Sequence, residues 1–287
     1  MIPAILLALL VALGSVFLVA LLRVSGARGQ RRPTLESVGL GAVTNFFDTL
    51  GIGSFAPTTA WLKLRKLVPD SFIPATLNAG HCLPSIAQAL IFIHLVRVDP
   101  LLLAACICAA VAGAVVGTPI VVRVPTRVVQ AFVNVTLLVA ATLYALTNLG
   151  LMPGGGDALA LPASWFALAV GVHFVLGALM VFGIGLYAPS LVLLCLLGLS
   201  PAAAFPIMMG ACAFLMPVSG LGFMRTERID LRVVMGLAIG GVPAVLLAAF
   251  VVKSLPLQTL RWGVVGVVLY AAALLLRAAS RSTAQPA

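Results

Sequence analysis

The chain has 287 residues, 62% of them hydrophobic and 8% charged, with a net charge of +10 and a mean hydropathy of +1.21. Soluble domains carry about 25% charged residues. A chain this apolar has more nonpolar surface than one core can bury, so its solvent must be lipid, and a water-soluble enzyme is excluded. The basic residues cluster between apolar runs, as loop anchors do, which argues against nucleic acid as the partner. A membrane β-barrel would show alternating segments of about ten residues, and the sequence has none.

In chain order, residues 1–22 read as a transmembrane helix. Its charge, Arg23, Arg28, Arg31 and Arg32, follows the apolar run instead of preceding it, so this is a retained span with its N-terminus outside and not a signal peptide. Residues 23–35 form a basic cytoplasmic loop. Apolar residues 37–50 lead into Gly51-Ile52-Gly53-Ser54-Phe55-Ala56-Pro57, and 57–62 then run to Lys63, Arg65 and Lys66. Spans are expected at 72–96, 100–122 and 127–149. The glycine-rich residues 150–162 are the longest flexible stretch and read as a linker. The second half has 164–182, a second interruption, 189–198, and spans at 201–224, 231–252 and 257–279. A polar tail closes the chain at 281–287.

The second interruption, Gly183-Ile184-Gly185-Leu186-Tyr187-Ala188-Pro189, lies 132 residues after the first and shares Gly-Ile-Gly-x-x-Ala-Pro with it. Glycine removes helix-favouring side chains and proline lacks the N–H that a helix interior needs, so each copy breaks a helix. Proline suits a helix's first turn, so Pro57 and Pro189 read as starts of half-helices. Gly39 and Gly171, and Pro74 and Pro206, repeat at the same offset, and Asp99 and Asp230 at one less. The chain thus reads as a duplication, with residues 36–149 and 163–280 as its two copies.

If both broken segments crossed the bilayer there would be nine crossings, and the 17 basic residues would divide ten to seven. If each is a re-entrant hairpin there are seven crossings, and 14 of the 17 fall inside. The fold expected is therefore all-α and polytopic: an inverted repeat in which each half is a re-entrant hairpin plus three transmembrane helices, preceded by one extra helix. Secondary transporters use this arrangement, with non-helical backbone only where protein or a water-filled cavity shields it.

Two half-helix N-termini then face one small volume near the midplane. Each carries roughly half a positive charge and unpaired N–H groups, which suits a small anion. Gly51, Gly53, Gly183 and Gly185 let the anion approach the backbone; Ser54, Thr58, Thr59 and Ser190 add hydroxyl donors beside Pro57 and Pro189. Asn78, Asn45 and Gln88 are polar residues in apolar helices, able to line a path or bond across helices. Asp48, His81 and His173 are costly in lipid and are candidates for carrying a proton; His94 reads as interfacial. Gly113-x-x-x-Gly117 and Gly236-x-x-x-Gly240 read as packing patterns. Five cysteines lie in apolar runs as small buried hydrophobes, with no disulfide, metal or cofactor expected. No nucleophile elbow, phosphate loop or His-Glu-x-x-His motif is present, and no enzyme is expected.

The run Asn45-Phe46-Phe47-Asp48-Thr49-Leu50-Gly51-Ile52-Gly53-Ser54-Phe55-Ala56-Pro57-Thr58, with Pro74-Ala75-Thr76-Leu77-Asn78-Ala79-Gly80-His81 and the second Gly-Ile-Gly-x-x-Ala-Pro, resembles the TauE/SafE family of bacterial sulfite exporters and related permeases. The resemblance covers about residues 36–280. It implies an inner-membrane secondary transporter of sulfite, organosulfonates or other small organic acids, with no ATPase subunit. Ser54 and Leu186 depart from the richer Gly-Ile-Gly-Gly-Gly form. The residues leave open a carboxylate permease, a small-anion channel, a membrane scaffold subunit, and pairing as a homodimer.

Overall fold

The structure is a computed structural model and describes residues 1–123, 125, 128, 151 and 156–254. The spans expected at 127–149 and 257–279, the tail at 281–287 and the linker's first part lie outside the described residues. Among the described residues the chain is all-helical, without a β-strand. Its helices are α1 (Ile2–Ala27), α2 (Leu35–Thr49), α3 (Phe55–Arg65), α4 (Ile73–Gly80), α5 (Cys82–Leu95), α6 (Pro100–Val121), α7 (Ala163–Met180), α8 (Tyr187–Leu196), α9 (Pro201–Met224) and α10 (Leu231–Ser254). Among the described residues, six helical segments are long and apolar enough to cross a membrane: α1, residues 70–95, α6, α7, α9 and α10. The chain is thus a helical membrane protein.

Local chemistry sets the helix ends. Thr34 caps α2, its Oγ1 accepting from Ser37 N at 3.2 Å, with Glu36 in the first turn. Asp99 caps α6 through Leu102 N at 2.7 Å, and Pro100 opens that helix. Asp230 caps α10 in the same way, accepting from Val233 N at 3.1 Å. Between α4 and α5 the chain bends at His81 without losing its ladder. His81 N still donates to Leu77 O (3.1 Å) and Ser85 N to His81 O (2.9 Å). Pro84 has no N–H to give to Gly80 O, which accounts for the bend. α1 runs to Ala27, five residues past the expected end; those residues belong to the helix and not to the loop.

At one end of the helices the residue 28–34 segment is tied to two others. Arg28 Nη2 donates to Met224 O (2.9 Å), and Leu231 N donates to Gln30 Oε1 (3.2 Å). Glu36 Oε1 accepts from Trp61 Nε1 (3.0 Å) and from Arg65 Nε (2.9 Å). Were α2 and α3 collinear, Glu36 and Arg65 would lie roughly 40 Å apart at 1.5 Å per residue. Instead they touch, so the outer ends of α2 and α3 meet. At the opposite end, Asp99 N donates to Leu159 O (2.9 Å), Ser200 N to Ala158 O (2.8 Å) and Gly156 N to Leu199 O (3.3 Å). Residues 156–159 are therefore hydrogen-bonded to the start of α6 and to the turn between α8 and α9.

This geometry sorts the charges. Arg23, Arg28, Arg31, Arg32, Lys63, Arg65, Lys66, Arg123, Arg225, Arg228 and Arg232 lie at the first end. Arg97 and Lys253 are the described basic residues at the other. The hydrogen bond from Arg65, and after it that from Trp61, holds the Glu36 carboxyl below the usual carboxylate range. A depressed carboxyl contributes stability above its unfolded pKa of about 4.3 and loses it as pH falls through the folded value. Glu36→Gln should therefore lower the thermal midpoint slightly at neutral pH, with the difference vanishing in acid. Differential scanning fluorimetry at both pH values reads this.

α2 packs along α10, and α6 along α7, in two matching faces. Glycines make both. A Cβ at Gly240 would overlap the Val38 carbonyl oxygen, and one at Gly236 the Ser37 hydroxyl; one at Gly113 would overlap the Phe174 carbonyl oxygen, and one at Gly177 that of Ala110. Both expected small-xxx-small patterns are packing faces.

α3 and α8 end alike. Lys66 N donates to Lys63 O and Leu67 N to Leu62 O (3.2 and 3.0 Å); Gly198 N and Leu199 N repeat these bonds 132 residues later (3.0 and 2.9 Å). The residue in the turn has φ +51° at Lys66 and +90° at Gly198. The left-handed region costs an L-residue about 1–2 kcal/mol, and a glycine returns part of that as unfolded-state entropy. Lys66→Gly should therefore gain up to about 1 kcal/mol, seen as a higher denaturation midpoint in detergent.

Candidate functional site

Each interruption begins where a helix stops. Gly51 has φ +91° and Gly183 has φ +97°, a region that favours glycine. In the first copy Gly51 N donates to Asp48 O (2.9 Å) and Ile52 N to Phe47 O (3.3 Å). In the second, Gly183 N donates to Met180 O (2.9 Å) and Ile184 N to Leu179 O (3.4 Å). This paired closure satisfies the helix's last carbonyls and requires the turn residue to be left-handed. The next helix begins the same way in both: Thr58 N to Ser54 O at 3.1 Å, Ser190 N to Leu186 O at 3.0 Å. These backbone bonds repeat at a spacing of 132 residues, although Gly53 is left-handed (φ +92°) and its equivalent Gly185 is not.

The new helices start at Phe55 and Tyr187, two residues before the prolines expected to open them. Pro57 and Pro189 sit third in their helices. A helix's first four N–H groups lack intrahelical partners, so a proline anywhere in that turn costs no bond.

The two breaks lie against each other. A Cβ on Gly53 (φ +92°) would stand 3.9 Å from Tyr187 Cβ, and one on Gly185 would stand 3.5 Å from Phe55 Cβ. The glycine of each break thus rests on the first residue of the opposite half-helix.

Two hydroxyls at equivalent places are each held by a histidine. Thr58 Oγ1 lies 3.0 Å from His81 Nε2, and Ser190 Oγ lies 2.9 Å from His173 Nε2. All four residues are buried. The histidines come from unrelated positions, one at the α4–α5 bend and one inside α7. The hydroxyls are the expected donors of the site, but the ring partners change what they offer. His81 Nδ1 faces Asn45 Oδ1 at 3.0 Å, while Asn45 Nδ2 donates to Gly41 O at 2.7 Å. His173 Nδ1 faces Ala169 O at 2.7 Å. Both partners of Nδ1 only accept, so Nδ1 carries the hydrogen and, in the neutral ring, Nε2 accepts. Thr58 and Ser190 therefore donate their hydroxyl hydrogens to the histidines.

A second network joins the two halves. Gln88 Nε2 donates to Asp48 Oδ2 (2.9 Å) and Thr49 Oγ1 (3.1 Å), and Gln88 Oε1 accepts from Tyr187 OH (2.6 Å). Asp48, one turn before the first break, is thereby linked to the first residue of α8 after the second. Asn78 does the converse: its Nδ2 donates to Pro74 O (2.9 Å) and to Met180 O (3.2 Å), the last residue of α7, and its Oδ1 accepts from Ser219 Oγ (3.3 Å). Thr59 and Thr76 have buried hydroxyls without a hydrogen-bond partner.

Of the residues singled out, Asp48, Gly53, Thr58, Asn78, His81, His173, Gly185 and Ser190 take part in these contacts. Asn78 fastens the second break. Tyr187, Thr49 and Ser219 were not anticipated. Tyr187 stood inside the repeated motif, and a tyrosine there, opposite Phe55, is the signal that its hydroxyl needs a partner. His94 is exposed at the end of α5. Among the described residues no group of three His, Cys, Asp or Glu is placed to hold a metal ion. In comparisons with protein-family models, curated proteins and solved structures, none matches this chain.

Proposed function

We propose that the chain is a secondary transporter of a small sulfur-containing anion, sulfite or an organosulfonate, across a bacterial inner membrane. In this reading α2–α3 and α7–α8 are re-entrant hairpins that enter from opposite faces, and the two halves form an inverted repeat. The Glu36–Arg65 contact at one end and the Ala158–Ser200 contact at the other support that arrangement. The basic end would be cytoplasmic, leaving the N-terminus of α1 outside. The resemblance of residues 45–58 and 74–81 to the TauE/SafE family supports the substrate class.

The observation that carries the proposal is the mutual contact of the two breaks, Gly53 on Tyr187 and Gly185 on Phe55. It sets two electropositive helix starts beside one another, where a lone anion gains from both. Movement of one half against the other would expose that place to each side in turn.

Purified protein in liposomes tests this. Saturable sulfite flux, with counterflow when the lumen is preloaded, is the expected result. Flux that neither saturates nor shows counterflow would mean a channel. No flux by the chain alone would mean a scaffold, and preference for a simple carboxylate would move the substrate class.

A further inference from the structure

The direction of the hydroxyl hydrogens at the two breaks has a consequence for any anion placed there. With neutral histidines, Thr58 and Ser190 give their hydrogens to His81 and His173 and turn only lone pairs toward a ligand. Oxygen lone pairs repel an oxyanion. A proton added at His173 Nε2 reverses this. Nε2–H then donates to Ser190 Oγ, and the serine hydrogen is released to point at the ligand. Nothing but one proton from solution is consumed.

The imidazolium so formed is buried, and its charge needs a partner. Among the described residues the carboxyl tied to this region is Asp48, which reaches Tyr187, one turn before Ser190, only through Gln88. α6, α8 and α9, the helices packed on α7, carry no charged side chain. The titratable groups they present are the thiols of Cys106, Cys108, Cys195 and Cys212 and, at the start of α8, the Tyr187 phenol. His81 differs. Asp48 lies on the very helix that holds His81's ring, one turn from Asn45, whereas it reaches α8 only through the Gln88 and Tyr187 side chains. The other charged residues on the helices and turn around His81, Arg23, Glu36, Lys63, Arg65, Asp70 and Arg232, sit near the ends of those elements, with Lys253 at the far end of α10.

Resting on the transport reading above, we infer that the anion and one proton bind together, the proton on His173 and the anion supplying its counter-charge across Ser190. The anion's affinity must then depend on pH even when the anion itself does not titrate.

Methanesulfonate is the suitable probe, since it keeps one charge throughout. Its binding to the purified full chain in detergent is measured calorimetrically from about pH 6 to 8, around the ordinary histidine pKa. The expected result is an affinity that tightens toward tenfold per unit fall in pH on the alkaline side, with about one proton taken up per anion bound. His173→Gln should flatten the profile, while His94→Gln, at the exposed end of α5, should keep it. A flat profile in the native protein, absence of proton uptake, or an undiminished slope in His173→Gln would each overturn the inference. If His173→Gln does not fold, absence of proton uptake by the native protein still overturns the inference. If neither methanesulfonate nor sulfite binds at any pH, the transport reading falls too; binding with a flat profile removes this inference alone.

Discussion

Gly177→Val should prevent the protein from folding or cost it about 3 kcal/mol or more, read as lost yield of monodisperse protein and a lowered denaturation midpoint in detergent. The first atom added at Gly177 would overlap the Ala110 carbonyl oxygen, which is backbone and cannot rotate away. The opposing surface is as tight, because Gly113 meets the Phe174 carbonyl and stands 2.8 Å (from an ideal Cβ) from Ala178 N. Helix association in lipid gains nothing from expelling water, so it depends on this close approach. Valine would push α6 and α7 apart along the whole face and forfeit its dispersion contacts together. Gly171→Val is the control. It lies on the same helix, is exposed, and an added Cβ there meets nothing within 4 Å. Its expected effect is within about 0.5 kcal/mol. Equal effects at both sites would mean that α6 and α7 do not pack as described.

Much of this was readable from residue order, and for physical reasons. Helix ends were close because their causes are local: Pro100 and Pro201 open helices, Asp99 and Asp230 cap them, and Gly51 and Gly183 close them. The repeat was visible because the left-handed turns at 51 and 183 admit little but glycine. It was hidden at Lys66, whose partner is Gly198, because φ +51° still admits a lysine. Proline misled at Pro57 and Pro189. The whole first turn tolerates it, so it marks a helix start only to within a turn. The pairing of His81 with Thr58 and of His173 with Ser190 was out of reach. The hydroxyls repeat at the common spacing, but the histidines arrive from the α4–α5 bend and from α7, and nothing periodic relates 81 to 173. Tyr187 with Gln88 is the same case, a contact between halves made only once they pack.

Gly183→Ala and Gly51→Ala separate backbone strain from crowding at the two breaks, and both should lower stability and stop transport. At Gly183 an alanine Cβ meets nothing nearer than Leu77 Cδ1 at 3.6 Å, so the cost is that of holding an L-residue at φ +97°. That is about 1–2 kcal/mol, and φ lies outside the left-handed well that Lys66 occupies. At Gly51 the same strain applies, and the Cβ also stands 2.9 Å from Phe205 Cζ, a ring stacked on Phe92 at 5.5 Å. Phe205 cannot swing without breaking that stack, so Gly51→Ala should cost about 1 kcal/mol more than Gly183→Ala. Either alanine favours a turn with smaller φ, which redirects the chain at Ile52 or Ile184 and shifts the half-helix start that follows. Because Gly53 rests on Tyr187 and Gly185 on Phe55, a shift in one break disturbs both helix starts. Sulfite flux per folded molecule in liposomes should therefore fall at least tenfold in each variant, including Gly183→Ala, where the protein stays folded. Full flux from a folded Gly183→Ala protein would show that the break geometry does not hold the anion, and the site would have to lie elsewhere.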